Sequence, residues 1–150
     1  MQRIEWLTAF ALVAGASTAA APTSRPSPAQ VPETVAGSWR LISAEANGKS
    51  IDFPAGTTIL KHVTPTDFMF VHYDQQGQIT AAGGGRYRVS GTRYEETVDY
   101  GLGEAMRPLI GKTHVFTARI EKGSWHHAGT ESDGTTIGEV WERVRPADSR

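Results

Sequence analysis

From residue 38 onward, hydrophobic and polar residues alternate in short segments that are rich in aromatic and β-branched types. Turn signals containing glycine, proline, asparagine or aspartate interrupt the alternation about every eight to twelve positions, as in antiparallel sandwiches and barrels. The segments predict eight strands, at residues 38–44, 57–63, 68–73, 78–90, 93–100, 112–120, 124–130 and 135–144. Eight such strands close a barrel whose interior holds side chains or one small ligand. The predicted fold class is therefore all-β, an eight-stranded antiparallel up-and-down β-barrel.

Short turns fix which residues of neighbouring strands face each other. A two-residue turn at residues 91–92 pairs Tyr87 with Glu96 and Arg88 with Glu95. The second pair joins opposite charges and suits the solvent face. The other face of these two strands should then point into the barrel, with Tyr87, Val89, Tyr94, Glu96, Val98 and, further along, Tyr100.

Counting the residues of two later turns gives the pairing of the last three strands in the same way. A two-residue turn lies at residues 122–123, and a three-residue loop lies at residues 132–134 with Gly134 in the left-handed conformation. The first pairs Ala118 with His127, and the second places His127 opposite Glu139. The inward residues of these strands are then His114, Phe116, Ala118, Ile120, Trp125, His127, Ile137, Glu139, Trp141 and Arg143.

The inward face of the segment 68–73 stays open. The following turn, residues 74–77, fits either three or four loop residues. The inward residue near its end is therefore either His72, which would join the polar set, or Tyr73, which would extend the aromatic wall.

Two glycine-containing segments interrupt the strand pattern. The run Gly83-Gly84-Gly85 predicts a bend, a bulge or a close approach of backbones, with a ligand-admitting gap in the wall as the alternative. Residues 101–110 form a candidate lid over the open end, with at most a single helical turn within 103–110, or an ordinary long connection.

The first 35 residues do not follow the strand pattern. An apolar, alanine-rich run at residues 7–21 follows a short polar start and ends in Ala-x-Ala spacings, which predicts a signal peptide over residues 1–21. A proline-containing linker is expected at 22–35, the barrel at 36–145 and a short tail at 146–150. We therefore expect a secreted or periplasmic protein with no stable membrane insertion after cleavage; an uncleaved anchor is the alternative.

Charge and cysteine content narrow the classes of function. The formal net charge is −1, so no overall field favours nucleic acid or an anionic membrane. The sequence has no cysteine, which excludes disulfides, cysteine-ligated zinc and a cysteine nucleophile. Barrel closure and aromatic packing must therefore hold this small domain together.

Several short motifs resemble those of known barrels. Gly37-Ser38-Trp39 is similar to the Gly-x-Trp opening of lipocalins and other calycins, and Arg143 is placed like the arginine that packs over that tryptophan. The resemblance implies a structural floor made by Trp39 and Arg143. The ordered pieces GSWRL, AGGGRY, YEETVDY, LIGKTHVF, WHHAGT and EVWERV resemble, more specifically, the bacterial lipocalin-like domain family of secreted proteins. That family implies a barrel but no catalytic residues.

The unusual feature of the predicted interior is its polar set, because buried carboxylates and imidazoles are costly unless paired or in contact with a ligand. Paired side chains filling a small barrel are one interpretation. A pocket for a small apolar or amphipathic molecule is another. Its predicted ligand-binding residues are Tyr87, Tyr94, Glu96, His114, Phe116, Trp125, His127, Glu139 and Trp141.

Two further hypotheses belong to other classes of function. In an acid–base isomerase, cyclase, dehydratase or hydrolase, His127 is the base oriented by Glu139, Glu96 is the acid, and Tyr94 stabilises an oxyanion. In an interaction or inhibitor module, the barrel is filled and the outer surface is used. A metal site of His114, His127 and Glu139 has no spacing motif to support it, so we predict no metal and no cofactor. The oligomeric state stays open.

Overall fold

The predicted eight strands are present and close into a barrel. The computed structural model describes residues 34–131 and 133–145. Within them the strands are β1 (Gly37–Ala46), β2 (Lys49–Ser50), β3 (Thr58–Val63), β4 (Asp67–Tyr73), β5 (Ile79–Ser90), β6 (Arg93–Leu102), β7 (Thr113–Glu121), β8 (Ser124–Thr130) and β9 (Thr136–Arg143). All pairings are antiparallel between strands adjacent in the sheet, and β1 closes the circle by pairing with β9 as well as β3. The fold class predicted from the sequence is confirmed.

The two-residue strand β2 is the one element that the alternation did not predict. It pairs with the end of β1 through a tight turn at Asn47 and Gly48, both of which have positive φ. This hairpin belongs to the longer connections at one end of the barrel, residues 47–57 and 103–112. The connections at the other end are short, at residues 64–66, 91–92 and 122–123. We call these the open end and the closed end.

The turn-length arithmetic gave the correct registers. Tyr87 pairs with Glu96, and His127 pairs with Ala118 on one side and Glu139 on the other. Gly134 has a φ of 88°, as the predicted three-residue loop requires. Since side chains alternate across a strand, these registers set the inner face of β5 to β9.

Two residues predicted to point inward do not lie in the interior. Tyr100 is exposed because a bulge sets Gly85 opposite Val98 but Gly84 opposite Tyr100, so Asp99 is the extra residue and the alternation is reversed beyond it. Val89 is exposed because it lies near the closed end of β5, beyond the packed side chains.

The glycine run makes this bulge possible, as predicted for a close approach of backbones. A Cβ atom on Gly85 would overlap the carbonyl oxygen of Thr97, and one on Gly84 would overlap the carbonyl oxygen of Phe68. No side chain fits at these positions without a change in the backbone path. The run therefore bends the wall and leaves no opening in it.

The segment after β6 folds back over the open end. A single 3₁₀ turn, Glu104–Met106, follows β6, which confirms the single helical turn expected there. Met106 is buried, and a Cβ atom on Gly83 would lie 2.6 Å from its Cε atom. The side chain thus fills the space that Gly83 leaves, and Leu109 packs against the same core.

The closed end is sealed by Trp39 and Arg143. Trp39 is fully buried, and the Arg143 guanidinium lies 4.1 Å from the centre of its indole ring. Trp39 Nε1 donates to the Val35 carbonyl at 2.7 Å, while Arg143 donates to the carbonyls of Ala36 and Thr34. The chain just before β1 is therefore tied across the barrel floor, and the stacking contributes about 0.5–2 kcal/mol.

The predicted signal peptide, nearly all of the linker and the C-terminal tail lie outside the described residues. The part of the chain that the structure describes contains no helix with the length and hydropathy that a bilayer-crossing helix requires.

Candidate functional site

A cavity of about 210 Å³ lies between the closed-end core and the segment that folds over the open end. Its floor and walls come from inward positions of the strands, and its upper part comes from the connections after β6 and β8. The lining residues are Leu41, Ile59, Lys61, Phe70, His72, Glu96, Val98, Met106, Leu109, His114, Phe116, His127, Glu131, Ile137, Glu139 and Trp141. Apolar walls with a few charged groups are typical of small-molecule pockets.

Beneath the cavity, aromatic rings fill the barrel. Trp125 contacts Trp39 and Tyr94 edge to face, with 5.4 Å between ring centres in each pair. Phe68 is also buried in this layer. Tyr87 stacks on Tyr94 and donates its hydroxyl hydrogen to the Thr64 carbonyl near the closed end. The layer gives the cavity a rigid floor.

A buried ion pair lies at this floor. Lys61 Nζ is 3.0 Å from Glu96 Oε2, and the two side chains are 4% and 11% exposed. The ammonium lies within 6 Å of the ring centres of Phe68, Tyr94, Trp125 and Trp141. Such ring faces attract a cation, so the rings and Glu96 together compensate for the water that Lys61 has lost.

A second pair joins β8 to β9, as the register predicted. Glu139 Oε2 accepts hydrogen bonds from His127 Nδ1 at 3.0 Å and from Trp141 Nε1 at 2.9 Å. Burial alone would raise the pKa of Glu139, but the His127 hydrogen bond, the charges of Lys61 and His127, and the Trp141 hydrogen bond lower it to about 2. Glu139 is therefore ionised, and an ionised carboxylate only accepts, so His127 donates from Nδ1.

A third pair lies nearer the open end. His114 Nδ1 is hydrogen-bonded to Glu131 Oε2, which comes from the connection after β8. The His114 ring stacks on Phe116, whose other neighbour is His127 at 4.0 Å between ring centres. The two imidazoles are thus held by different carboxylates, with a phenyl ring between them.

Several buried polar atoms in this region have no hydrogen-bond partner among the described residues: Tyr94 Oη, His114 Nε2, Trp125 Nε1 and His127 Nε2. Burial raises the pKa of Tyr94 far above its usual range, and the nearby Glu96 carboxylate adds to this although the two lack hydrogen-bond geometry. The Tyr94 hydroxyl therefore stays protonated. His127 Nε2 is enclosed by the rings of Tyr94, Phe116 and Trp125 and has almost no accessible surface.

The open question about β4 is settled by the residues that line the cavity, which include His72 and not Tyr73. Phe68 is buried, Phe70 and His72 line the cavity, and Met69 is exposed. His72 therefore joins the inward polar set. Partial burial lowers the pKa of His72 below its ordinary value, and the charge of Glu139 opposes the shift.

Six of the nine residues predicted to bind a ligand line the cavity, and three do not. Those that line it are Glu96, His114, Phe116, His127, Glu139 and Trp141. Tyr94 and Trp125 lie in the aromatic layer below it, and Tyr87 lies closer still to the closed end. Whether the six bind a ligand stays a prediction.

The enzyme hypothesis takes His127, oriented by Glu139, as the base and Glu96, in apolar surroundings, as the acid. Glu96 instead accepts a charge-assisted bond from Lys61, and His127 Nε2 is covered. Tyr94 lies in the layer below the cavity. Glu96, His127 and Glu139 line one cavity, and whether they catalyse a reaction stays a prediction.

Lys61 and Glu131 are the charged cavity residues that the sequence analysis missed. Lys61 lies between Ile59 and Val63 at a spacing of two, and both of these are buried. That spacing is a usable signal for an inward lysine. Glu131 lies beyond the end of β8, where alternation no longer predicts a direction.

The part of the chain that the structure describes contains no group of three or more His, Asp, Glu or Cys side chains placed to hold one metal ion. The pairing of each imidazole with its own carboxylate accounts for this at His114 and His127.

The comparisons with known proteins concern the fold. A lipocalin-like protein from Bacteroides uniformis has a solved structure that matches this chain with a TM-score of 0.51, covering 73% of this chain and 97% of the other. The fold is lipocalin-like. The sequence identity over that match is 16%, a level that shows shared fold alone. No family model matches the sequence, and no curated protein matches it significantly.

Proposed function

We propose that this lipocalin-like barrel binds a small, largely apolar molecule in its interior. The observation that supports this most directly is the cavity of about 210 Å³ above a closed aromatic floor. Ligand pockets usually measure about 300–1,000 Å³, whereas a cavity of about 150 Å³ accommodates benzene. The molecule is therefore compact, with about eight non-hydrogen atoms by scaling from benzene.

The shape of the cavity favours binding over a purely structural interior. Its apolar residues include Ile59, Phe70, Val98 and Phe116, which surround the space from different strands. The segment with Met106 and Leu109 covers part of the open end, and the cavity remains partly open to solvent. A barrel that acts only through its outer surface does not require an interior cavity.

We also propose that the protein acts outside the cytoplasm. The support is the apolar, alanine-rich run at residues 7–21 with its Ala-x-Ala spacings. Amino-terminal sequencing of the protein recovered from the medium or periplasm tests this, with a start near residue 22 expected. Recovery of the intact chain from the cytoplasm would contradict it.

Binding is tested by filling the cavity. Ile137 lines it, and Ile42 lies on the outside at a bulge in β1, so Ile137→Trp and Ile42→Trp make the same change inside and outside. Isothermal titration with 2-phenylethanol should give a dissociation constant of about 1 mM or tighter for the unaltered protein. Ile137→Trp should abolish binding and Ile42→Trp should keep it.

Native mass spectrometry of protein purified from its own source, followed by extraction of small molecules, complements this test. A bound compound released on unfolding would identify the natural ligand. Failure of 2-phenylethanol and of every extracted compound to bind, or equal binding by both tryptophan variants, would overturn the proposal.

A further inference from the structure

The charges that face the cavity point to the class of ligand. We infer that the bound molecule is a small organic cation, an apolar body that carries one amino group. This inference rests on the proposed binding function and adds the sign of the ligand charge.

The cavity has more negative than positive charge. Lys61 is its one lysine or arginine among the described lining residues, against the three carboxylates of Glu96, Glu131 and Glu139. Counting only the lysine and the three carboxylates, the lining has a formal charge of −2. Charges inside a low-dielectric wall act strongly on a ligand, so this imbalance favours a cation.

The ammonium group of Lys61 is also less accessible than the three carboxylates of the lining. The Lys61 side chain is 4% exposed, is bonded to Glu96 and is surrounded by aromatic rings. The side chains of Glu131 and Glu139 are each 24% exposed. A ligand that enters from the open end therefore meets carboxylates, and a carboxylate of its own would be repelled.

The polar atoms of the lining that have no hydrogen-bond partner also favour a cation. His114 and His127 are each hydrogen-bonded through Nδ1 to a carboxylate, and their Nε2 atoms, which accept hydrogen bonds when the ring is neutral, have no partner among the described residues. Both residues line the cavity and are more than nine-tenths buried. These atoms have almost no accessible surface, so a ligand in the cavity would bond to the more exposed carboxylates. An ammonium group donates three hydrogen bonds and accepts none, which matches this set.

The rest of the lining suits an aromatic or aliphatic body. Phe70, Phe116 and Trp141 provide ring faces and edges. A protonated amine also gains from a ring face when water is excluded. The cavity is therefore suited at one side to an apolar group and at the other to a positive charge.

The test uses three probes that share one apolar body: 2-phenylethylamine, 2-phenylethanol and phenylacetate. Isothermal titration against the protein expressed from the full sequence should rank the affinities amine, then alcohol, then acid. We expect the amine to bind at least about tenfold more tightly than the alcohol, since hydrogen bonds to charged groups are stronger than neutral ones.

A matched pair of variants locates the effect. Glu131→Gln removes a cavity charge and keeps the side-chain length, while Glu121→Gln makes the same change at an exposed position near the closed end. Glu131→Gln should weaken the amine about tenfold and leave 2-phenylethanol within about twofold. Glu121→Gln should change neither affinity.

The outcomes separate this inference from the proposed function. Binding of the alcohol or the acid as tightly as the amine would overturn the cation inference alone. An equal effect of the two glutamine variants on the amine would also overturn it, because the attraction would then be a property of net charge. If none of the three probes binds, the proposed binding function itself fails for ligands of this size.

Discussion

The buried pair of Lys61 and Glu96 makes the most direct prediction about stability. Lys61→Met replaces the ammonium by an apolar group of similar length and leaves Glu96 without its partner at 3.0 Å. Breaking one side of a buried pair costs about 3–5 kcal/mol, because the remaining charge is uncompensated. For a domain of this size, 1 kcal/mol corresponds to about 4 °C in Tm, so we expect a decrease of about 12–20 °C.

The assay is urea unfolding followed by tryptophan fluorescence, since Trp39, Trp125 and Trp141 are all buried in the barrel. The double variant Lys61→Met/Glu96→Leu should recover most of the loss, because hydrophobic replacement of a buried ion pair is often neutral or stabilising. The exposed Lys49→Met is the control and should change the free energy of unfolding by less than about 0.5 kcal/mol. A cost below 1 kcal/mol for Lys61→Met, or a double variant no more stable than the single one, would refute the reasoning.

Three further predictions follow from single contacts. Trp39→Ala should lower the free energy of unfolding by about 3–5 kcal/mol, measured by urea denaturation; a loss of ligand binding at unchanged stability would contradict its structural role. Because the pKa of Glu139 is lowered to about 2, its contribution of up to about 3 kcal/mol should be present above pH 5 and disappear as the pH falls towards 2. In Glu139→Gln that part of the pH dependence of the free energy of unfolding should be absent. Acid-unfolding curves identical to those of the unaltered protein would exclude this contribution. Gly85→Ala should cost more than 2 kcal/mol by thermal unfolding, against about 1 kcal/mol for Gly77→Ala, which meets only open space; equal costs would contradict the close approach at the bulge.

The parts predicted correctly from sequence are those that local geometry determines. Side chains alternate with a period of two, and the three-residue loop at residues 132–134 allows one register, so the pairing of His127 with Glu139 follows from counting. The face of β4 was not determined, because the loop before β5 fits two lengths. Its true register includes a shift between His72 and Tyr73, which no count of turn residues reveals.

The errors have physical causes of two kinds. Tyr100 was assigned to the interior because alternation was extended through β6, but the bulge opposite Gly84 and Gly85 reverses it. Lys61 was not assigned to the interior although its spacing from the buried Ile59 and Val63 indicates it, because its partner, Glu96, lies 35 residues away in the sequence. A buried charge becomes understandable only together with its partner, and that pairing depends on closure of the barrel.

The position of the ion pair connects stability to the cavity. If the double replacement of Lys61 and Glu96 by apolar residues leaves the barrel as stable as before, the pair is not needed to hold the fold together. Its effect is then on the floor of the cavity, where Lys61 occupies the space between the rings of Trp125 and Trp141 and its charge helps to keep Glu139 ionised. Replacement of both Lys61 and Glu96 therefore leaves the carboxylates of Glu131 and Glu139 in the cavity lining but removes the positive charge of Lys61. On this argument the double variant should bind 2-phenylethylamine at least as tightly as the unaltered protein, and a weaker affinity would show that Glu96, not Glu131 and Glu139, receives the amine.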